Sequence, residues 1–520
     1  MVGMPIRWTD SAADRVFLAL TILYAAGILA LPLFPTQDGP HHLYYAAVQD
    51  AVMRDAGAFG GEFVVRRALP PYSFMTYFFI GATRLVSGVM AEKLLVVLYV
   101  VLFCLGFRYL MRTLYGTLPV VALLVFPFVP HTLVYLGFYN YNIGLAVMLF
   151  TCGFWLRNEE RLRWPQTIVF ALLVLLHLAT HPVPLAAAAA FIAFRLLLTA
   201  RNGITSGLVR GIAHLAFALA ALAYATFYLS ATGFREWSIG YPTWPERLVR
   251  LAKLHIVSPF ESWALWAALV LAGCCLLAAA LAAARQRPSE RRGGAGDLLL
   301  LFGLACGAAA VLAPSHVSAW AHLDERFPAL AVVFLLASAG SLDLPVKMRL
   351  PAGIGAGALA CFVFVLDMEA TLLYARTIEP LVEAPAIPAG ARGVIVTKDH
   401  NSAFPSGARF SPCLWAPAHY FRRSKAVLLN AAWLDLPQIP MGVREYRSYH
   451  FLDPPAMAEY LIEGVASGNP DLPQRIDLMI AVDCRNGGAN MPDISTVAER
   501  FGLERAAWST AELAVYQRTR

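Results

Sequence analysis

Apolar runs long enough to cross a bilayer recur along this chain from Val16 to about Leu373, and that repetition constrains the fold more than any other feature. A run of about 20 apolar residues surrounded by lipid satisfies its own backbone polar groups only as a helix. With 58% hydrophobic and 14% charged residues in 520, the chain lies outside the range of ordinary soluble proteins. Its net charge of +7 is modest, and its arginines sit in short loops. That distribution sets membrane topology and implies no nucleic-acid partner. Beyond about residue 378 polarity becomes mixed and prolines become frequent. The expected architecture is an all-α polytopic membrane bundle over 1–378, followed by a small C-terminal α/β soluble domain over 379–520.

Arg7 and Arg15 precede the first run, Val16–Leu33, which puts the N-terminus in the cytoplasm and the first loop, about 35–70, outside. Within that loop, 43–58 reads as an amphipathic helix lying along the interface. Further runs follow at 72–90, 93–111, 117–134 and 137–156, before a basic cytoplasmic loop at Arg157–Arg163. Asp38 outside and Arg157 inside require an odd number of crossings, whereas four runs lie between them. One of the four is therefore re-entrant, or a long one hides two passes. With the later runs (164–180, 183–200, 209–230, the run before Arg285, 297–314, 326–342 and 350–373), 11 or 13 crossings are expected, with the tail outside. The first run continues into a polar motif with no small-residue cleavage site, so no cleaved signal is expected.

In the tail, Gly393–Thr397, Ala426–Leu429, Asp477–Asp483 and Leu513–Gln517 are strand-like, and Pro454–Ala466 and Ile494–Phe501 helix-like. It carries no nucleotide-binding glycine pattern, zinc pattern or nucleophile elbow. Six cysteines (Cys104, Cys152, Cys274, Cys275, Cys306 and Cys361) lie in apolar segments as inert small residues. Cys413 and Cys484 lie in the tail, either paired or as two thiols.

The candidate chemistry starts where the first apolar run stops, in Phe34-Pro-Thr-Gln-Asp38-Gly-Pro-His41-His42-Leu-Tyr44-Tyr45. Polar clusters at a membrane boundary usually serve binding or catalysis. Asp38 is either the cap of the following helix or a general base for an acceptor hydroxyl. His41, His42 and Tyr44 are donors to substrate or phosphate, or interfacial packing. A metal site is not expected, because adjacent histidines diverge and no third ligand is near. Arg66 and Arg67 precede Pro70-Pro71-Tyr72, either as lipid head-group contacts or as a guanidinium fork for a phosphate. Arg326 beside Asp324 and Glu325 poses the same choice between a local ion pair and a phosphate contact. His177 and His181 share a helical face, and Gly137–Asn142 reads as an aromatic belt with Asn140 and Asn142 lining a cavity. In this topology Asp38, Arg67, His181, Asp324 and Arg326 all fall at the outer face. Unrelated anchors would divide between both faces, so the coincidence favours one site.

The order of these pieces resembles the C-type (GT-C) integral-membrane glycosyltransferases, which include protein O-mannosyltransferases and bacterial lipid A aminoarabinose transferases. The shared features are an acidic residue just after the first span (Thr36-Gln-Asp38-Gly-Pro-His-His-Leu-Tyr44) and an interfacial helix in a long first loop. A basic-then-Pro-Pro lead-in to the second span (Arg67-Ala-Leu-Pro70-Pro71-Tyr72) and an arginine near the last spans (Asp324-Glu-Arg326-Phe-Pro328) complete the likeness, followed by a soluble tail. The resemblance implies that Asp38 is the catalytic base and that Arg67 and Arg326 contact the donor phosphate. Two positions depart from the family pattern: Gln37-Asp38-Gly39 lacks its second carboxylate, and Arg67 stands where a lysine at another offset is usual.

The resulting expectation is a polyprenyl-phosphate-sugar-dependent glycosyltransferase of the bacterial inner membrane, with a periplasmic C-terminal domain. It would act at the outer face on a glycan, lipid or protein acceptor, with the lipid-linked sugar as substrate and no resident cofactor. The rival readings are a transporter or flippase of lipid-linked glycans and a non-catalytic envelope assembly protein.

Overall fold

The computed structural model describes residues 8–54, 59, 62–65, 71–159, 163–200, 206–232, 239–252, 258–260, 262–285, 296–317, 320–342, 344–383, 388–397, 414–430, 441–443, 447–482, 492–506, 509 and 513–518. The chain is mostly helical. Among the described residues, five helices are long and apolar enough to cross a membrane: Ala12–Ala30, Gly88–Tyr115, Gly207–Tyr228, Trp263–Ala282 and Val346–Arg376. Three shorter apolar helices, Trp164–Thr180, Pro182–Leu197 and Leu299–Leu312, accompany them.

The four runs that broke the parity between Asp38 and Arg157 resolve unevenly. The 72–90 run forms only a nine-residue helix, Phe74–Ala82, before the chain turns. The 117–134 run forms a 3-10 segment, Val120–Phe128, with Pro127 inside it, and a four-residue helix, Thr132–Tyr135. Proline lacks the amide that an α-helix interior needs, and 3-10 geometry is tolerated in short pieces. Val121 to Phe128 are buried in protein, where an irregular backbone at membrane depth is allowed. The other two runs form the long helices Gly88–Tyr115 and Tyr139–Asn158.

The chain divides into two compact units. The first comprises Met1–Ala30, Leu95–Leu133 and Tyr139–Ala370. Its core is built on aromatic side chains along helix interfaces: Phe17 lies 4.8 Å from Phe126, and Tyr24 lies 4.7 Å from Phe364. The Tyr24 hydroxyl donates to the Ala360 carbonyl at 3.0 Å. Arg108 holds Asp14 through two bonds of 2.7 and 2.6 Å, a fork geometry suited to a carboxylate. A small antiparallel sheet joins Ile239–Gly240 to His316–Val317 and that strand to Trp320–Ala321. The Leu323 amide then donates to the Ser315 carbonyl at 3.0 Å, which ties the sheet to the turn that follows.

The second unit comprises Leu31–Leu94, Val134–Phe138 and Thr371–Arg520. Its strands fall at the strand-like stretches of the tail: Arg392–Val396, Val427–Leu428, Leu478–Val482 and Leu513–Gln517, with Glu504–Arg505 at one edge. Arg392–Val396 pairs in parallel with both Val427–Leu428 and Leu478–Val482, while Leu513–Gln517 runs antiparallel to Leu478–Val482. Leu478 to Val482 are all buried, as a central strand covered on both faces requires. The Pro454–Ser467 helix opens on Asp453, whose carboxylate accepts from the Ala456 amide at 3.0 Å.

The helix of the first loop is not the interfacial one expected over 43–58. It runs from Gly39 to Met53 with most of its surface buried, including Tyr44, Tyr45, Val48 and Gln49. Tyr44, Tyr45, Val48, Phe59 and Phe63 share one core with the sheet strands of the tail. Phe63–Val65 pairs with Met441–Val443. The first loop and the tail therefore fold as one hydrophobic unit, although more than 300 residues separate them in the sequence. The aromatics that suggested a lipid-facing stripe are core residues, because apolar periodicity alone does not say whether lipid or protein covers a helix face.

Candidate functional site

The expected site residues fall into two groups. Arg67 lies outside the described residues, as do Cys413 and Cys484.

The first group surrounds Asp38, which is buried at 5% exposure. Its loop is clamped from two sides. On one side the Gln37 and Asp38 amides donate to the Tyr135 and Leu136 carbonyls at 2.9 and 3.3 Å. Gly137 closes this contact: its φ of +83° belongs to glycine. A Cβ there would also lie 2.9 Å from the Gly39 nitrogen and 3.3 Å from the Asp38 Cβ. On the other side Lys93 Nζ donates to the Leu31 carbonyl at 2.7 Å, and Thr36 Oγ1 donates to Glu92. Glu92 is buried, with His419 Nε2 3.5 Å from its second oxygen. Asp38 occupies the cap position of the Gly39–Met53 helix, and its carboxylate makes no capping bond. Its Oδ1 accepts from Gln37 Nε2 at 3.2 Å.

The neighbours of Asp38 serve the core. The fully buried His41 ring stacks on Trp415 at 3.9 Å and 7°, with Tyr45 at 4.3 Å. Burial pulls the His41 imidazole well below its ordinary value and holds the half-buried His42 down to about 4. Tyr44 closes an edge of the sheet: its hydroxyl donates to the Ala426 carbonyl at 3.2 Å and accepts from the Leu428 amide at 2.8 Å. Burial raises the Tyr44 phenol, so it stays a neutral donor.

The second group brings together His181, Asp324 and Arg326, all at most 7% exposed. The Asp324–Arg326 turn leads directly into the helix Phe327–Ala339, with Pro328 in its first turn. Tyr141 donates its hydroxyl to the Arg326 carbonyl, and its ring lies 5.9 Å from the guanidinium carbon and 5.4 Å from the His181 ring. Close approach is possible because Gly144 faces the His181 turn, where a Cβ would lie 3.3 Å from that of His181. Glu325 pairs with His322 at 3.0 Å, so the acidic neighbour of Arg326 has its own partner.

The His181 contacts define what this group can do. The Val183 amide donates to Nδ1 at 3.1 Å, and Arg326 Nη1 lies 3.0 Å from Nε2. A neutral imidazole has one acceptor nitrogen and one N–H. With donors at both nitrogens, one contact is donor to donor in either tautomer. Which of the two contacts is the hydrogen bond depends on the tautomer, and in either case a guanidinium stands beside an imidazole at the positive end of a helix, a setting that suits an anionic oxygen.

The sequence pointed to His181, Asp324 and Arg326 but read Tyr141 only as part of an aromatic belt. It missed Glu92 and His419. Glu92-Lys93 at the start of a 28-residue apolar helix is a usable signal, because charges inside such a run need partners. His419 gives none, being one imidazole among mixed tail residues. Among the described residues no three His, Cys, Asp or Glu side chains converge to hold a metal ion. No protein-family model matches this chain, and no curated protein matches its sequence.

Proposed function

We propose that this chain is a polyprenyl-phosphate-sugar-dependent glycosyltransferase of the bacterial inner membrane, acting on an acceptor at the periplasmic face. The observation that carries this reading is the buried pair Arg326 and His181, with Nη1 3.0 Å from Nε2 at a helix N-terminus. Donors fixed before the reaction stabilise charge that develops on a leaving phosphate without reorganising. Supporting it is a buried carboxyl group, Asp38, whose loop is clamped on both sides while its side chain makes no capping bond.

In the proposed reaction the acceptor hydroxyl attacks the anomeric carbon. The bond from that carbon to the phosphate oxygen breaks, and the hydroxyl proton passes to a carboxylate base, the part that the resemblance gives to Asp38. Arg326 and His181 take the charge on the departing polyprenyl phosphate. The carrier's hydrocarbon tail accounts for placing such chemistry in an apolar helical chain.

The test uses purified full-length protein with a radiolabelled polyprenyl-phosphate sugar and an extract of envelope acceptors. Wild type is expected to form a glycosylated product and release polyprenyl phosphate, with Asp38→Asn reducing product by at least about 100-fold. Equal product from wild type and Asp38→Asn removes Asp38 from the chemistry. Translocation of intact donor across a vesicle membrane, with no product, replaces the transferase with a transporter.

A further inference from the structure

The helix Trp244–Ala252 is turned the wrong way round for water. It opens with a reciprocal cap: the Thr243 amide donates to Glu246 Oε2 at 2.7 Å, and the Glu246 amide donates to Thr243 Oγ1 at 3.4 Å. Trp244 and Leu248 of the helix, and Tyr241 just before the cap, face outward at 61–62% exposure, while Arg247 is turned inward at 8%. Arg247 Nε donates to the Pro242 carbonyl at 3.1 Å and Nη2 to the Ala313 carbonyl at 3.2 Å. Its guanidinium carbon lies 5.6 and 6.0 Å from the Trp244 and Tyr241 rings. A soluble surface helix buries its apolar side and shows its charge, so this one is built for a surrounding that is not water.

Two observations identify that surrounding. Ala313 directly follows the apolar helix Gly296–Leu312, so the bond from Arg247 fixes this segment at the end of a membrane-type helix. The segment also lies between the candidate spans Gly207–Tyr228 and Trp263–Ala282, the second of which opens on Trp263 at 84% exposure. Tryptophan and tyrosine concentrate at the level of lipid head groups. Besides the inward Arg247, the sequence from Trp244 to Lys253 carries Arg250 and Lys253 against a single acid, Glu246, a balance that anionic phospholipids attract.

We propose that Tyr241–Val249 is a membrane-interface anchor that lays Tyr241, Trp244 and Leu248 into the head-group region of an anionic phospholipid bilayer. It takes the place of the first-loop helix as the interfacial element, and it stands whether or not the chain transfers sugars. The test is full-length protein carrying Leu248→p-benzoylphenylalanine in nanodiscs of phosphatidylethanolamine and phosphatidylglycerol at 3:1, irradiated and read by intact mass. Arg475→p-benzoylphenylalanine on the surface of the sheet unit is the control. Position 248 is expected to gain the mass of one phospholipid with at least about five-fold the yield of position 475. Replacing phosphatidylglycerol by phosphatidylcholine is expected to lower that yield about two-fold. Equal yields at the two positions, or a protein adduct at 248 from a second copy or another partner, overturn the anchor. A yield indifferent to phosphatidylglycerol overturns the preference for anionic lipid.

Discussion

His41 and His181 are both buried histidines at the start of a helix with a tyrosine ring beside them, and the rest of their surroundings differ. His41 lies against the faces of Trp415 and Tyr45, where an imidazole acts as one more flat ring in a core. His181 meets an N–H donor at each ring nitrogen, one of them from Arg326. The contrast separates packing from recognition. A histidine among aromatic faces is exchangeable for another ring, whereas one whose edge meets a guanidinium depends on the polarity of its ring nitrogens.

The comparison breaks most sharply at Arg326. Arg326→Gln is expected to cut glycosyl transfer by at least about 100-fold, roughly 3 kcal/mol of transition-state stabilisation, in a turnover assay with lipid-linked donor. His41→Ala is expected to leave donor affinity unchanged and to destabilise the sheet unit by about 2–4 kcal/mol, the range for emptying a buried ring site. His41→Phe should restore most of that in a thermal melt, and a loss of donor binding in the His41→Phe protein would move His41 into the site.

Acid sharpens the same distinction. His42 is held down to about 4 and His419 to about 3 by burial, against 6.5 when unfolded. Both therefore contribute more stability when neutral. The sheet unit should take up protons on unfolding and lose stability progressively as pH falls below 6.5. Denaturant melts between pH 7 and 4 read this directly, and a flat profile would contradict it.

The smaller effects come from the first loop. Tyr44→Phe removes a hydroxyl bonded to both the Ala426 carbonyl and the Leu428 amide. It should cost about 1–2 kcal/mol and speed amide exchange at Leu428. Glu62 is the weakest case: His450 lies 2.8 Å and Arg392 3.0 Å from its oxygens, and the His450 bond leads in holding its carboxyl below the ordinary value. Because the folded form favours the ionised acid, this contribution is present above 4.5 and lost as pH falls further. Glu62→Gln should cost no more than about 1 kcal/mol at neutral pH.

The sequence was informative where the pattern was local. The tail strands came from short β-branched and apolar runs bounded by turns, and they fall within a few residues of the observed ones. The charge of the Asp324–Arg326 turn stood out because it interrupts an apolar stretch. What sequence reading missed depends on distant residues. Nothing within 43–58 says that Tyr44 will meet Leu428, so its aromatics read as lipid-facing. The Arg247 helix shows the reverse: its sequence reads as part of an outer segment, 231–261, rich in Trp, Tyr, Pro and charge, and the inward turn of the arginine is what shows its apolar side facing out. The failed parity between Asp38 and Arg157 was itself legible, since Pro127 lies inside one of the four runs.

The little sheet of the helical unit carries a mechanical consequence. Ile239–Gly240 pairs with His316–Val317, and the Ser315 carbonyl holds the Leu323 amide, so the strand that leads into the Trp244–Ala252 helix and the turn that carries Arg326 share one backbone ladder. A displacement of that helix would be carried along the ladder to the guanidinium of Arg326.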